Sequence, residues 1–222
     1  MNPVIHRFPR VASTQDEARR LLGTGRARAG HVVVADEQTA GRGRFGRTWC
    51  SPRGGLYATY IVAHRPLLSL EAAVALSEVL EGAGLSVGLK WPNDVLVGEA
   101  KLAGILIEAI DGIALVGIGL NLVDAPIETA TCLAACDCPT RKGDLIGSLW
   151  RALQRARSDE EILTEYRRRS ATLGRRVRIE RAAGGSIEGE AVDVDEAGRL
   201  CLDTSTGRRV VSTGECRHAA AD

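Results

Sequence analysis

The sequence predicts an α+β protein, with a mixed β-sheet flanked by helices over residues 1–173 and a small β-barrel over residues 174–222. Three observations lead there. Strand-like apolar runs and helical periods are interspersed up to Leu173. Two apolar arms, residues 102–110 and 113–120, flank Asp111-Gly112, the residue pair that supplies the positive φ angles of a type I′ turn. After Gly174 only short strands remain, separated by glycine-bearing turns.

The elements follow in order. Ser13 or Thr14 caps a helix that carries acids in its first turn and Ala18, Leu21 and Leu22 on its apolar face, and glycines at 23 and 25 end it. The Val32-Val33-Val34 run is a buried strand leading into a polar, glycine-rich stretch over residues 38–52. That stretch is long for a connection, and long loops in compact domains are usually functional. Residues 56–63 alternate as a strand, and residues 70–84 form a helix rich in Ala, Leu and Val. Short strands at 87–90 and 95–97 flank the Trp91-Pro92-Asn93-Asp94 turn, before the central hairpin. Residues 144–157 and 158–173 read as two helices, the second charged and amphipathic. Strands at 177–179, 187–194, 200–202 and 210–211 make up the tail, with the domain boundary near Leu173.

Composition narrows the function. The 222 residues carry a net charge of +1, which lacks the broad positive field of a dedicated nucleic-acid binder, so any anion site is local. No apolar segment has the length of a signal peptide core or a membrane span, and a cytoplasmic protein is expected. The six cysteines contain no C-x-x-C pair; Cys132, Cys136 and Cys138 lack a second ligand pair with zinc spacing and read as small buried residues.

Residues 41–49, Gly-Arg-Gly-Arg-Phe-Gly-Arg-Thr-Trp, suit an anionic ligand. Glycine lets the backbone approach and present N–H groups, and arginine forks match phosphate and carboxylate oxygens. The stretch also satisfies G-x-G-x-x-G, but a dinucleotide site needs a helix after the third glycine, where Pro52 and Gly54-Gly55 oppose one. An RNA-binding Arg/Gly segment is disfavoured by its single occurrence in a non-basic chain. The plain alternative is a solvated loop. Against it stands Trp49, an aromatic suited to close over something flat. Several like charges on a glycine-rich loop also predict mobility until an anion arrives.

Lys90, Lys101 and Lys142 are the only lysines among 29 basic residues. Either residue type supplies surface charge, but a compact ammonium is not replaced by a planar guanidinium where geometry matters, which singles out Lys90 and Lys101.

Together with the loop, Lys90-Trp91-Pro92-Asn93-Asp94, Lys101-Leu102-Ala103-Gly104-Ile105-Leu106 and Gly117-Ile118-Gly119-Leu120-Asn121 resemble, in order, the successive motifs of biotin protein ligases. Ser13-Thr14-Gln15 resembles that family's N-terminal motif, and the β-rich tail its C-terminal SH3-like domain. The resemblance implies a biotin- and ATP-binding catalytic domain over residues 1–173 and an SH3-like domain over 174–222. It implies that biotin's carboxylate attacks ATP to give biotinyl-5′-AMP, with Mg²⁺ assisting departure of pyrophosphate, and that a lysine of a biotin carboxyl carrier domain then takes the biotinyl group.

By the same resemblance Lys101, Arg44, Lys90 and Asp94 are the catalytic residues, with Asp94 near the metal or the incoming lysine. Ser13, Thr14, Gln38, Gly41, Arg42, Lys101, Gly104 and Gly117 would bind biotin. Arg44, Arg47, Trp49, Lys90, Asn93 and Asn121 would bind ATP and the adenylate, Trp49 by stacking on adenine and Asn121 by hydrogen bonding to it. Twelve residues before Ser13 are too few for a helix-turn-helix, so DNA binding is not expected; a homodimer is left open. The segment Gly214-Glu215-Cys216-Arg217-His218 runs into an Ala-rich tail that matches the family poorly, which puts any contribution of that tail to ATP binding in doubt. The nearest enzymatic alternative is a lipoate or octanoyl ligase-like protein; another is a nucleotide sensor without catalysis.

Overall fold

The computed structural model describes residues 2–138, 140–181 and 184–219. Twelve strands and four α-helices build two sheets. The chain runs β1 (Val4–Phe8), α1 (Thr14–Gly23), β2 (His31–Ala35), β3 (Leu56–Ala63), α2 (Leu68–Gly82), β4 (Gly88–Lys90), β5 (Asp94–Val97), β6 (Ala100–Ile110) and β7 (Ile113–Leu120). It continues through α3 (Lys142–Gln154), α4 (Asp159–Arg169), β8 (Arg176–Glu180), β9 (Ser186–Val194), β10 (Leu200–Thr204), β11 (Gly207–Val211) and β12 (Glu215–His218). The first sheet has seven strands in the order β1-β2-β3-β7-β6-β5-β4, mixed because β1 pairs β2 in parallel while the rest pair antiparallel. The hairpin is as expected, with Asp111 and Gly112 at φ 45° and 77°.

Alternation along the strands sorts side chains onto two faces. Val32 and Val34, Leu56, Ala58, Tyr60 and Val62, and Val116, Ile118 and Leu120 join the core under α2, α3 and α4. Val33, Ile61 and Leu115 point the other way, onto Ala18 and Leu21 of α1. Helix α1 lies mainly over β2, β3 and β7. The rest of that face, over the ends of β6 and β7, is where the cavity lies. No helix among the described residues is long and apolar enough to cross a membrane.

The expected barrel is an open antiparallel sheet among the described residues, in the order β11-β10-β9-β8-β12. β12, absent from the sequence reading, adds to β8 and faces the first sheet, where His218 Nε2 lies 3.2 Å from Thr172 Oγ1 and Thr172 Oγ1 accepts from Trp91 N at 3.0 Å. The Trp91 indole donates to Gly198 O at 3.1 Å, and Arg175 links His218 to Glu99. Strand β1 was also missed, because a short edge strand containing His6 and Arg7 has little apolar pattern to read.

His218 gives this junction a pH dependence. Its side chain is 7% exposed, and burial, then the charges of Lys90 and Arg175, push its pKa down to about 4. An unfolded histidine titrates near 6.5, so the unfolded chain binds the extra proton between the two values. The contribution is complete above pH ~6.5 and is lost as pH falls toward 4, by about 2 kcal/mol at pH 5. Urea unfolding of wild type and His218→Gln from neutral pH to pH 5 is expected to show a steeper loss in wild type; parallel pH profiles contradict this assignment.

Candidate active site

A cavity of about 280 Å³ opens on the sheet face that α1 leaves uncovered. Glycine makes its floor. Gly117 and Gly119 continue the β7 face that carries Leu115, and Gly104 is the cross-strand partner of Gly119 on β6. The Trp49 indole lies directly on this pair: a Cβ built on Gly119 falls 2.4 Å from its Cε2, and one on Gly104 falls 3.0 Å from its Cζ3. Side chains at these two positions would fill the seat the indole takes.

The inner end is built from α1 and the strand-to-loop turn. Ser13 caps the helix by accepting from Gln15 N at 3.2 Å. Thr14 donates from both its backbone N and its hydroxyl to Gln38 Oε1, at 2.8 and 3.1 Å, and itself accepts from Thr59 Oγ1. Gln38 Nε2 donates to Ser51 Oγ, which donates to Trp49 O. One side chain is left incomplete. Gln15 is 3% exposed, and its Nε2 donates to Leu106 O at 3.1 Å and Leu115 O at 3.4 Å. Those two carbonyls fix the amide so that Oε1 carries no partner, in a residue that lines the cavity. A buried acceptor without a donor invites an N–H from a ligand. Sequence reading used Gln15 only as a motif letter; its position one residue after the helix start, facing the sheet, was the available signal.

The Gly/Arg loop is cross-braced. Trp49 N donates to Gly41 O at 2.9 Å and Gly43 N to Arg47 O at 2.7 Å, around a short 3-10 turn at Arg44–Gly46. Gly41 itself does not line the cavity. A Cβ there would lie 2.4 Å from Trp49 O and 2.6 Å from Ser51 Oγ, so glycine is required for the loop to close on itself. The arginines, which sequence reading treated as one positive cluster, have three different fates. Arg42 pairs with Asp16 and Glu108, at 2.9 and 3.1 Å. Arg47 pairs with Glu215 at 2.8 Å. Arg44 reaches only neutral acceptors, Thr213 Oγ1 at 2.9 Å, Asn93 Oδ1 at 3.3 Å and Gly214 O at 3.5 Å. Burial, then the Arg47 charge, holds its pKa below the usual arginine value. Among the described residues it forms no ion pair, so it is the loop cation whose charge is left for a ligand anion. These contacts also bring the tail segment 213–215 against the loop.

Lys101 stands beside Trp49 and Gly104. Its Nζ is 2.6 Å from Asp94 Oδ1 and 5.3 Å from the Trp49 ring centroid. Asn93 donates to Ile105 O while accepting from Arg44, and buried Asn121 donates to Thr131 O at 3.0 Å. Twelve of the site residues read from the sequence line the cavity; Gly41, Lys90 and Asp94 do not. Asp94 meets the cavity only through its ion pair with Lys101. Lys90, cross-strand partner of Asp94, sets its charge near Cys216 and His218. Cys132 and Cys138 are buried, as expected, while Cys136 is only half-buried; Cys50 is exposed and lines the cavity. Among the described residues no group of three His, Cys, Asp or Glu is placed to hold a metal.

A floor of glycines, a neutral hydrogen-bonding inner end and an arginine–lysine outer end define a site for a small, elongated ligand that is neutral at one end and anionic at the other. Comparison with known proteins then gives the family. The profile described as "Biotin/lipoate A/B protein ligase family" matches residues 7–122, and "Biotin protein ligase C terminal domain" matches residues 172–218. The chain belongs to the biotin/lipoate A/B protein ligase family. It is 36% identical to a biotin--[acetyl-CoA-carboxylase] ligase of Mycobacterium tuberculosis, over 94% of this chain and 86% of that one. It is 31% identical to the bifunctional ligase/repressor BirA of Bacillus subtilis, over 92% and 71%. Among solved structures it resembles the biotin protein ligase of Aquifex aeolicus in complex with biotin and ATP, with a TM-score of 0.84, 28% identity and coverage of 98% and 99%. It also resembles the Leishmania major biotin protein ligase in complex with biotinyl-5-AMP, with a TM-score of 0.69, 29% identity and full coverage of both chains.

Proposed function

We propose that this chain is a biotin protein ligase, which makes biotinyl-5′-AMP from biotin and ATP and transfers the biotinyl group to a lysine of a biotin carboxyl carrier domain. The observation that carries the reading is the polarity of one cavity: an orphan Gln15 acceptor at its inner end, and Arg44 and Lys101 at its outer end. A ureido ring is neutral and bears N–H donors, and a carboxylate lies at the far end of the molecule's aliphatic chain. Ser13, Thr14, Gln15 and Gln38, with the Gly41–Arg42 backbone, are the residues we assign to the ring, and Gly104 and Gly117 to the space around the chain.

In the first step a biotin carboxylate oxygen bonds to the α-phosphorus of ATP, the bond to the bridging oxygen breaks, and pyrophosphate leaves. Two anions must approach, and a preorganised ammonium and guanidinium in a partly desolvated site lower that cost. Lys101, held by Asp94, serves the reacting carboxyl and phosphate, and Arg44 and Lys90 the phosphates, with Arg47 and Asn93 beside them. Magnesium carried by the triphosphate would neutralise the leaving group; no carboxylate among the described residues lines the cavity, and Asp94, behind Lys101, is the one that would have to turn toward such an ion. In the second step the acceptor lysine's amine attacks the acyl carbon and AMP leaves. We assign Trp49 and Asn121 to the adenine, residues 1–173 to the catalytic unit, and residues 174–222 to a smaller unit that braces the loop. The reading includes a cytoplasmic location and leaves a homodimer open.

Gly119→Ala tests the adenine assignment. The new methyl overlaps the indole ring, and such overpacking costs about 1–3 kcal/mol. A KM for ATP raised by roughly one to two orders of magnitude is expected, and an unchanged KM would sink the assignment. The choice of acid is tested by incubating the chain with ATP, a purified carrier domain and either biotin or lipoate. Labelling with biotin is expected; labelling with lipoate alone overturns the reading.

A further inference from the structure

Helix α1 brings two kinds of residue to the cavity. Ser13, Thr14 and Gln15 face the ligand space, while the next residue, Asp16, reaches the loop from outside. Asp16 Oδ1 lies 2.9 Å from Arg42 Nη2, and Glu108 Oε1, from β6, lies 3.1 Å from the same nitrogen. Arg19, one turn further along α1, pairs with both carboxylates. Acids from two separate elements thus converge on the loop's first arginine, and a second arginine closes the ring. Neither carboxylate lines the cavity, so their service to the ligand is indirect.

We propose that Asp16 and Glu108 are positioning residues that clamp Arg42 and thereby hold the Gly/Arg loop closed over biotin and its adenylate. The proposal rests on the functional reading above. The physical case is that Arg42 follows Gly41, whose packing against Trp49 O and Ser51 Oγ leaves the loop no slack at that point. Fixing the Arg42 side chain therefore fixes the main chain beside the inner end of the cavity. The four side chains are 23–47% exposed, so each pair is weak and sensitive to salt. A clamp of that strength opens for entry yet slows escape.

The test is the full-length chain carrying Asp16→Asn and Glu108→Gln, compared with wild type in two readouts. In the ligand-free chain, exchange of the Gly43 and Trp49 amides, which close the loop onto Arg47 O and Gly41 O, is expected to accelerate by about tenfold. With biotin and ATP, release of the adenylate is expected to accelerate by about tenfold while pyrophosphate formation at saturating substrate is retained. Added salt should reproduce both effects in wild type and do little to the variant, which a purely structural role would not do. Unchanged exchange and release overturn the clamp, as does wild-type release indifferent to salt. If the double variant does not fold, Glu108→Gln alone is read by the same criteria. Absent pyrophosphate formation by wild type would overturn the functional reading instead, and the exchange measurement would still decide the clamp.

Discussion

Lys101→Ala is expected to lower adenylate formation by about 10²–10³-fold while leaving the fold intact, the loss typical of removing one preorganised donor from a developing oxyanion. The Lys101 ammonium is the one lysine charge lining the cavity, held 2.6 Å from Asp94 and next to the floor glycine Gly104. Asp94 retains 21% exposure of its side chain, so water can take over when the lysine is gone, and stability should change little. Lys101→Arg is expected to fail as well. A planar fork cannot occupy the position of a compact ammonium, in a chain that otherwise uses arginine for nearly all its basic residues. Biotin-dependent pyrophosphate release by the two variants, with thermal unfolding as control, checks this. Wild-type turnover in Lys101→Ala, or full rescue by arginine, would contradict the role.

Arg157→Ala is expected to cost about 3–5 kcal/mol of stability, a large part of what a domain of this size possesses. The Arg157 side chain is fully buried where α3 gives way to α4. It donates to Ala152 O at 2.7 Å and Glu78 Oε2 at 2.5 Å, and lies 3.7 Å from Glu71, itself 1% exposed. Glu71 is held from its other side by Arg65, which also donates to Leu153 O. Removing Arg157 leaves a cavity and a carboxylate in the interior with half its counter-charge. Urea unfolding checks the magnitude; a loss below about 1 kcal/mol would mean that the network is hydrated or slack.

What was legible in the sequence was whatever is local. The Asp111-Gly112 hairpin, the Ser13 cap and the apolar β2 strand each announce themselves within a few residues, because turn geometry, capping and burial act over that range. Trp49 was recognisable as out of place in a polar loop, but its seat on Gly104 and Gly119 depends on strands more than fifty residues away. Separation along the chain also hid the sorting of the arginines. Asp16, Glu108 and Glu215 come from three elements, and only the fold shows that they pair with Arg42 and Arg47 and leave Arg44 without an ion-pair partner among the described residues. Strand β12 was passed over because Cys216 and His218 are not typical strand residues, and tertiary docking onto β8 and Thr172 decides their conformation. Gln15 was legible only as part of a motif for a related reason: its role rests on two carbonyls of β6 and β7 that use up its amide protons.

The central claim is that the cavity joins biotin to the α-phosphorus of ATP. Pyrophosphate release by the purified chain, with ATP alone, biotin alone and both together, measures it most directly. Release only when both are present, with loss of that release in Lys101→Ala, is the predicted result; binding of both ligands without any pyrophosphate release would make the chain a sensor and contradict the account.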